Sequence, residues 1–130
     1  MPWETGSEAH SLVLCKEAAS GYPPGMNTEY GMALTTFPDA AAAQTILDGL
    51  LEKRLAACVQ TMPIQSAYRW KGKVKNEPEI LMLIKTKVSL YPEVEAFIRA
   101  NHSYEVPEII LLPIADGLDG YLRWIEEETK

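Results

Sequence analysis

The chain has 130 residues, the size of a single domain, and is 47% hydrophobic and 23% charged, as an ordinary globule is. Its 12 Lys and Arg against 18 Asp and Glu leave a net charge of −6, which argues against nucleic acid or an anionic membrane surface as a main partner. No apolar run approaches the roughly 20 residues of a membrane span, so direct membrane insertion is not expected.

Residues 1–28 differ from the remainder. Ser, Gly, Pro, Glu and Ala dominate, and Gly21-Tyr22-Pro23-Pro24-Gly25 is strong punctuation. The segment reads as a partly flexible N-terminal extension of a domain over 29–130. It has no basic stretch followed by an apolar one, so a secretory signal is not expected. Cys15 and Cys58 form no CxxC pair and no zinc-like spacing, which fits reduced thiols and a cytoplasmic setting.

Residues 30–37 mix apolar and β-branched types and predict a first strand. Asp39 is a good N-cap, and Ala43, Ile46, Leu47, Leu50, Leu51 and Leu55 fall at helical spacing, predicting a helix over 39–54. A second strand begins at Ala56, is expected to break at Pro63, and resumes over 64–71 with Ile64, Ser66, Tyr68 and Trp70 on one face. Asn76-Glu77-Pro78 reads as the turn into a third strand, whose unbroken apolar run over 80–86 marks it as central. Ser89 is placed to cap a second helix, with Pro92 in its first turn and Leu90, Val94, Phe97 and Ile98 as its buried stripe. A fourth strand is expected over 106–113, then a turn at Asp116-Gly117 and a last helix with Tyr121, Trp124 and Ile125 on its apolar side.

This order predicts the α+β class, a ferredoxin-like βαββαβ sandwich with an extra C-terminal helix. Both main helices cover one face of its sheet. The other face needs cover too, and a homo-oligomer is the economical source, with Tyr68 and Trp70 as candidate contacts.

Candidate site residues gather in His102-Ser103-Tyr104-Glu105-Val106-Pro107-Glu108, at the mouth of the fourth strand. His102 with Glu105 and Glu108 would offer a metal an imidazole and carboxylates. Odd spacing in an extended segment sets the two carboxylates on opposite faces, so such a site is easier to build from several chains. The structural alternative makes His102 a helix C-terminal residue bonded to a carboxylate. A catalytic reading would use Glu105 or His102 as base and Lys85 or Tyr104 as electrophilic partner. The sequence has no nucleophile elbow, phosphate loop or acidic metal triad, and no enzyme is expected. Lys85 otherwise pairs with Glu105 or Glu108, and Cys58 reads as a small core residue.

Leu55-Ala56-Ala57-Cys58-Val59, Tyr68-Arg69-Trp70-Lys71-Gly72-Lys73, Ile84-Lys85-Thr86 and the His102–Glu108 segment, in this order and spacing, resemble the CutA family of divalent-cation tolerance proteins. The resemblance implies a homotrimer with clefts between subunits, into which Lys85, Tyr104, Glu105 and Glu108 would project. It implies a role in tolerance of divalent cations such as copper, with a metal ion or small anion as ligand. Two further roles come with it: anchoring of protein partners, as in animal members, and small-ligand sensing by analogy with the PII proteins. Copper binding in bacterial members is associated with a cysteine late in the first strand and with adjacent histidines. Here those positions hold Thr35 and Asn101-His102, Ser103 replaces a usual proline, and Cys58 matches a different cysteine.

Overall fold

The computed structural model describes residues 29–130. The expected extension over 1–28, with His10 and Cys15, lies outside the described residues.

Strand β1 (Tyr30–Phe37) leads into helix α1 (Ala40–Glu52). Asp39 caps α1 as expected, its carboxylate accepting from Ala42 N at 2.8 Å. The helix stops on a left-handed cap: Arg54 sits at φ 56° and Leu55 N donates to Leu50 O at 2.9 Å. Glycine usually fills that position, and a side chain there costs about 1 kcal/mol.

Strands β2 (Cys58–Trp70) and β3 (Lys73–Lys87) form one long hairpin. Its turn is Lys71-Gly72, at φ 51° and 82°, and not Asn76-Glu77-Pro78. Residues 76–78 pair instead with 65–67 inside the ladder. Pro63 does not interrupt β2 either; it pairs with Ile80. The reason is position: β2 lies at the sheet edge, where a missing donor is tolerated.

A short 3-10 turn (Val88–Leu90) precedes helix α2 (Tyr91–Asn101). Ser89 falls within that turn and gives no cap, while Pro92 occupies the first turn of α2. Strand β4 is shorter than expected (Ile109–Pro113), because 102–108 bends away from the sheet. Helix α3 (Asp119–Glu128) buries Leu122 and Ile125, and leaves Tyr121 and Trp124 exposed.

The sheet order is β2-β3-β1-β4 and every neighbouring pair is antiparallel. Each of α1 and α2 thus joins two parallel strands across an intervening one, which is the ferredoxin-like arrangement. Ala33, Phe37, Met82 and Ile84 project toward Ile46, Leu50, Val94 and Ile98 of the helices and form the main core. Thr35 lies in that layer with no exposure, between Met82 and Ile109, and its hydroxyl has no partner among the described residues.

The opposite face carries Met32, Leu34, Leu81, Leu83, Ile110 and Leu112, aligned by the register. Here Met62, Ile110 and Leu112 keep 49%, 46% and 42% of their surface exposed. Among the described residues, one end of this face is covered. There α3 forms a second cluster in which Tyr30, Leu122 and Ile125 pack with Ala57 and Ile114.

Burial, then the Glu126 carboxylate 3.4 Å away, pushes the Tyr30 phenol from 10.0 up to about 12. A folded-state pKa above the unfolded one gives stability that is complete below about pH 10 and is lost as pH rises toward about 12. In thermal melts across this window the wild type should lose about 2 kcal/mol more stability than Tyr30→Phe. Thr35→Val keeps the shape and removes an unpaired hydroxyl, so it should stabilise by about 1 kcal/mol in urea unfolding.

Candidate functional site

The candidate segment leaves α2 at its C-terminal end, where Asn101 Nδ2 donates to Phe97 O at 2.8 Å. His102 then turns into extended backbone and lays its ring flat on Phe37, with centroids 4.6 Å apart and planes 15° from parallel. Its Nε2 stands 2.7 Å from the Thr36 carbonyl, which can only accept, so Nε2 carries the proton. Nδ1 is then the bare nitrogen, and it accepts from Tyr104 N at 3.1 Å. His102 is thereby held as one neutral tautomer with both nitrogens occupied. Its partners are two backbone groups rather than the carboxylate that the structural alternative supposed.

Tyr104 completes a stack of three rings, tilted 47° over His102 at 4.8 Å. Its phenol reaches across the end of β1 and donates to Glu79 Oε2 at 2.8 Å. Glu79 is only 8% exposed, so this bond supplies a buried carboxylate with a donor. Beside it, Tyr68 on β2 donates to Glu77 Oε1 at 2.6 Å. Burial first, and then the bond to Glu79, drives the Tyr104 phenol well above the usual tyrosine range. The Glu77 bond moves Tyr68 from 10.0 to about 12. Both phenols thus remain hydrogen-bond donors at neutral pH, paired with acceptors, and neither is poised as a base.

The other candidates stand apart. Glu105 and Glu108 are exposed and have no hydrogen-bond or ion-pair partner among the described residues. Lys85 pairs with neither. Its ammonium sits 5.6 Å from the centroid of the Tyr121 ring on α3. Lys85 is also six residues along β3 from Glu79, about 20 Å away at strand rise. One chain therefore does not bring Lys85 together with Tyr104. Cys58 is a free thiol, half-buried on the open face opposite Lys85 rather than in the core.

The sequence reading missed Glu77, Glu79 and Phe37. The signal for the carboxylates was their separation by two residues, which on a strand puts both on one face. Reading 76–78 as a turn concealed it. Among the described residues, no group of three or more His, Cys, Asp or Glu side chains is placed to hold a metal ion. Nor is any described helix long and apolar enough to cross a membrane.

A family model described as CutA1 divalent ion tolerance protein matches residues 31–128. Protein CutA of Homo sapiens is 44% identical over 127 residues, spanning 97% of this chain and 69% of that protein. The divalent-cation tolerance protein CutA of Thermus thermophilus is 44% identical over 99 residues, 75% of this chain and 96% of its own length. The solved structure of the periplasmic divalent cation tolerance protein CutA from Archaeoglobus fulgidus superposes with a TM-score of 0.76. That match has 39% identity and covers 78% of this chain and 99% of the other.

His102 acts here as a bracket between the end of β1 and the turn into Tyr104. His102→Ala should lower the unfolding free energy by about 1–3 kcal/mol, through loss of the ring stack and two bonds. Urea midpoints of wild type and variant measure this. Excess chelator should leave the wild-type midpoint where it is, because backbone groups occupy both ring nitrogens of His102.

Proposed function

The chain belongs to the CutA1 divalent ion tolerance family, and on that premise we propose that it serves divalent-cation tolerance as a self-associating, non-enzymatic binding protein. Relatives carry the names of tolerance proteins, and the candidate site holds paired donors and acceptors without an activated nucleophile.

The observation that carries the reading is the half-covered sheet. Met32, Leu34, Leu81, Leu83, Ile110 and Leu112 make a contiguous apolar surface of a kind a monomer rarely leaves to water. In our reading three copies bury it against one another, as the resemblance implies. Such packing would also answer the separation of Lys85 from the stacked rings: the cleft forms between copies, with Lys85 of one chain facing Tyr104, Glu105 and Glu108 of the next. Residues 29–130 are the working unit in this scheme, and 1–28 an extension of it. The free thiol of Cys58 suits a cytoplasmic setting.

A resident copper ion does not fit the donors of one chain. Both nitrogens of His102 are engaged, Thr35 lies in the core, and a third ligand is lacking among the described residues. The cation is better read as cargo, met by Glu105 and Glu108, with Lys85 available to a small anion.

Light scattering on the full chain should give three times the 14.5 kDa of one copy, and Leu83→Asp should reduce it to one. A monomeric wild type would refute the reading. Calorimetric titration with Cu(II), using a His10→Ala, Cys15→Ser background, should show weak binding. Glu105→Gln with Glu108→Gln should reduce it at least tenfold, and His102→Ala should not.

A further inference from the structure

Helix α3 is gripped at its C-terminal end by the side chain of Arg54, which comes from a distant turn. Arg54 Nη2 donates to Glu127 O at 2.7 Å and Nε to Glu128 O at 3.2 Å. In return Lys130 N donates to Arg54 O at 3.0 Å. The guanidinium thus binds carbonyls that the helix leaves without partners, at the negative end of its dipole. Arg54 does this from a left-handed backbone, at φ 56°, where a side chain is costly. Arg54 thus combines a strained backbone with three long-range bonds, two of them from its side chain. Lys130 adds an ion pair to Glu93 at 2.9 Å.

The opposite end of α3 is built differently. Residues 114–118 have no regular structure, and Gly117 and Gly120 flank the start of the helix. Leu118, the N-cap residue, is 78% exposed and offers no side-chain cap. After Ile114 N, which donates to Tyr30 O, no long-range hydrogen bond holds 115–118 among the described residues.

Between the two ends, the apolar contacts of α3 among the described residues are those of the small cluster of Tyr30, Leu122, Ile125, Ala57 and Ile114. None of its residues belongs to the main core. Underneath lie Lys87, paired with Glu126 at 3.5 Å, and Lys85, whose ammonium faces Tyr121.

We propose that α3 is a releasable strap, hinged at 114–118 and latched by Arg54, whose release bares Lys85, Lys87 and Tyr30 while the main core stays folded. Segments that pack into a separate small cluster open below the free energy of global unfolding. The release itself stands without the proposed cleft; its bearing on ligand access to Lys85 rests on that reading.

Amide hydrogen exchange on the full chain tests the strap. Arg54→Gly is the informative variant, since glycine accepts the left-handed backbone and only the latch is lost. Peptides over 119–130 should exchange tenfold faster or more in Arg54→Gly, with β1 and β3 amides unchanged. Acetylation of Lys85 and Lys87 by an amine-reactive ester should accelerate in parallel. Exchange of α3 that matches β1 and β3 in the wild type, or that Arg54→Gly leaves unaltered, would overturn the proposal. Light scattering on the same samples separates the two ideas: unchanged exchange in a trimer sinks the strap alone, and a monomeric wild type with fast α3 exchange sinks the cleft alone.

Discussion

Two helices can cover one face of a four-stranded sheet and no more. Much else in this molecule follows from that limit. The covered face, with Ala33, Phe37, Met82 and Ile84 against α1 and α2, is an ordinary core without polar demands beyond Thr35 and Thr86. Thr86 meets its demand by donating to Leu55 O at 2.7 Å. On the other face α3 sits at one end, and among the described residues the remaining apolar rows lack cover. The stacked rings and the Lys85 end lie at the two extremes of that face.

Elements whose cause is local were legible in the residues. Asp39 and the spacing of Ala43, Ile46 and Leu50 define α1, and the apolar run over 80–86 marks a central strand. What escaped was anything that depends on a neighbour. Pro63 and Pro78 look like interruptions until β2 is known to be an edge strand with a long partner. The same holds for α3: Tyr121 and Trp124 are the larger apolar residues, yet Leu122 and Ile125 are the ones buried against Tyr30, Ala57 and Ile114.

The site repeats this pattern. The segment from His102 to Glu108 stood out because it concentrates titratable groups, and two of its members, His102 and Tyr104, do lie at one place. Their roles depend on partners far away in sequence: Thr36 and Phe37 for His102, Glu79 for Tyr104. A histidine read in isolation is a candidate ligand. The same ring between a carbonyl and an amide is a brace that selects a backbone path. Membership of the CutA1 family agrees with the fold, and the two phenols at this end of the sheet keep their protons, each given to a neighbouring carboxylate.

The long β2–β3 hairpin has a kinetic consequence. Its strands meet across the two residues Lys71 and Gly72, so closure costs little chain entropy, whereas β1 must find β4 across most of the domain. The hairpin can therefore form early, while β1 is still absent from its inner side. During that interval it presents two open edges instead of one. Pro63 and Pro78, which weaken local secondary structure on paper, remove hydrogen-bond donors from those edges and so discourage wrong pairing in a crowded nascent pool. Both positions stay open in the finished sheet: Pro63 on the outer edge of β2, and Pro78 beyond the stretch of β3 that pairs with β1.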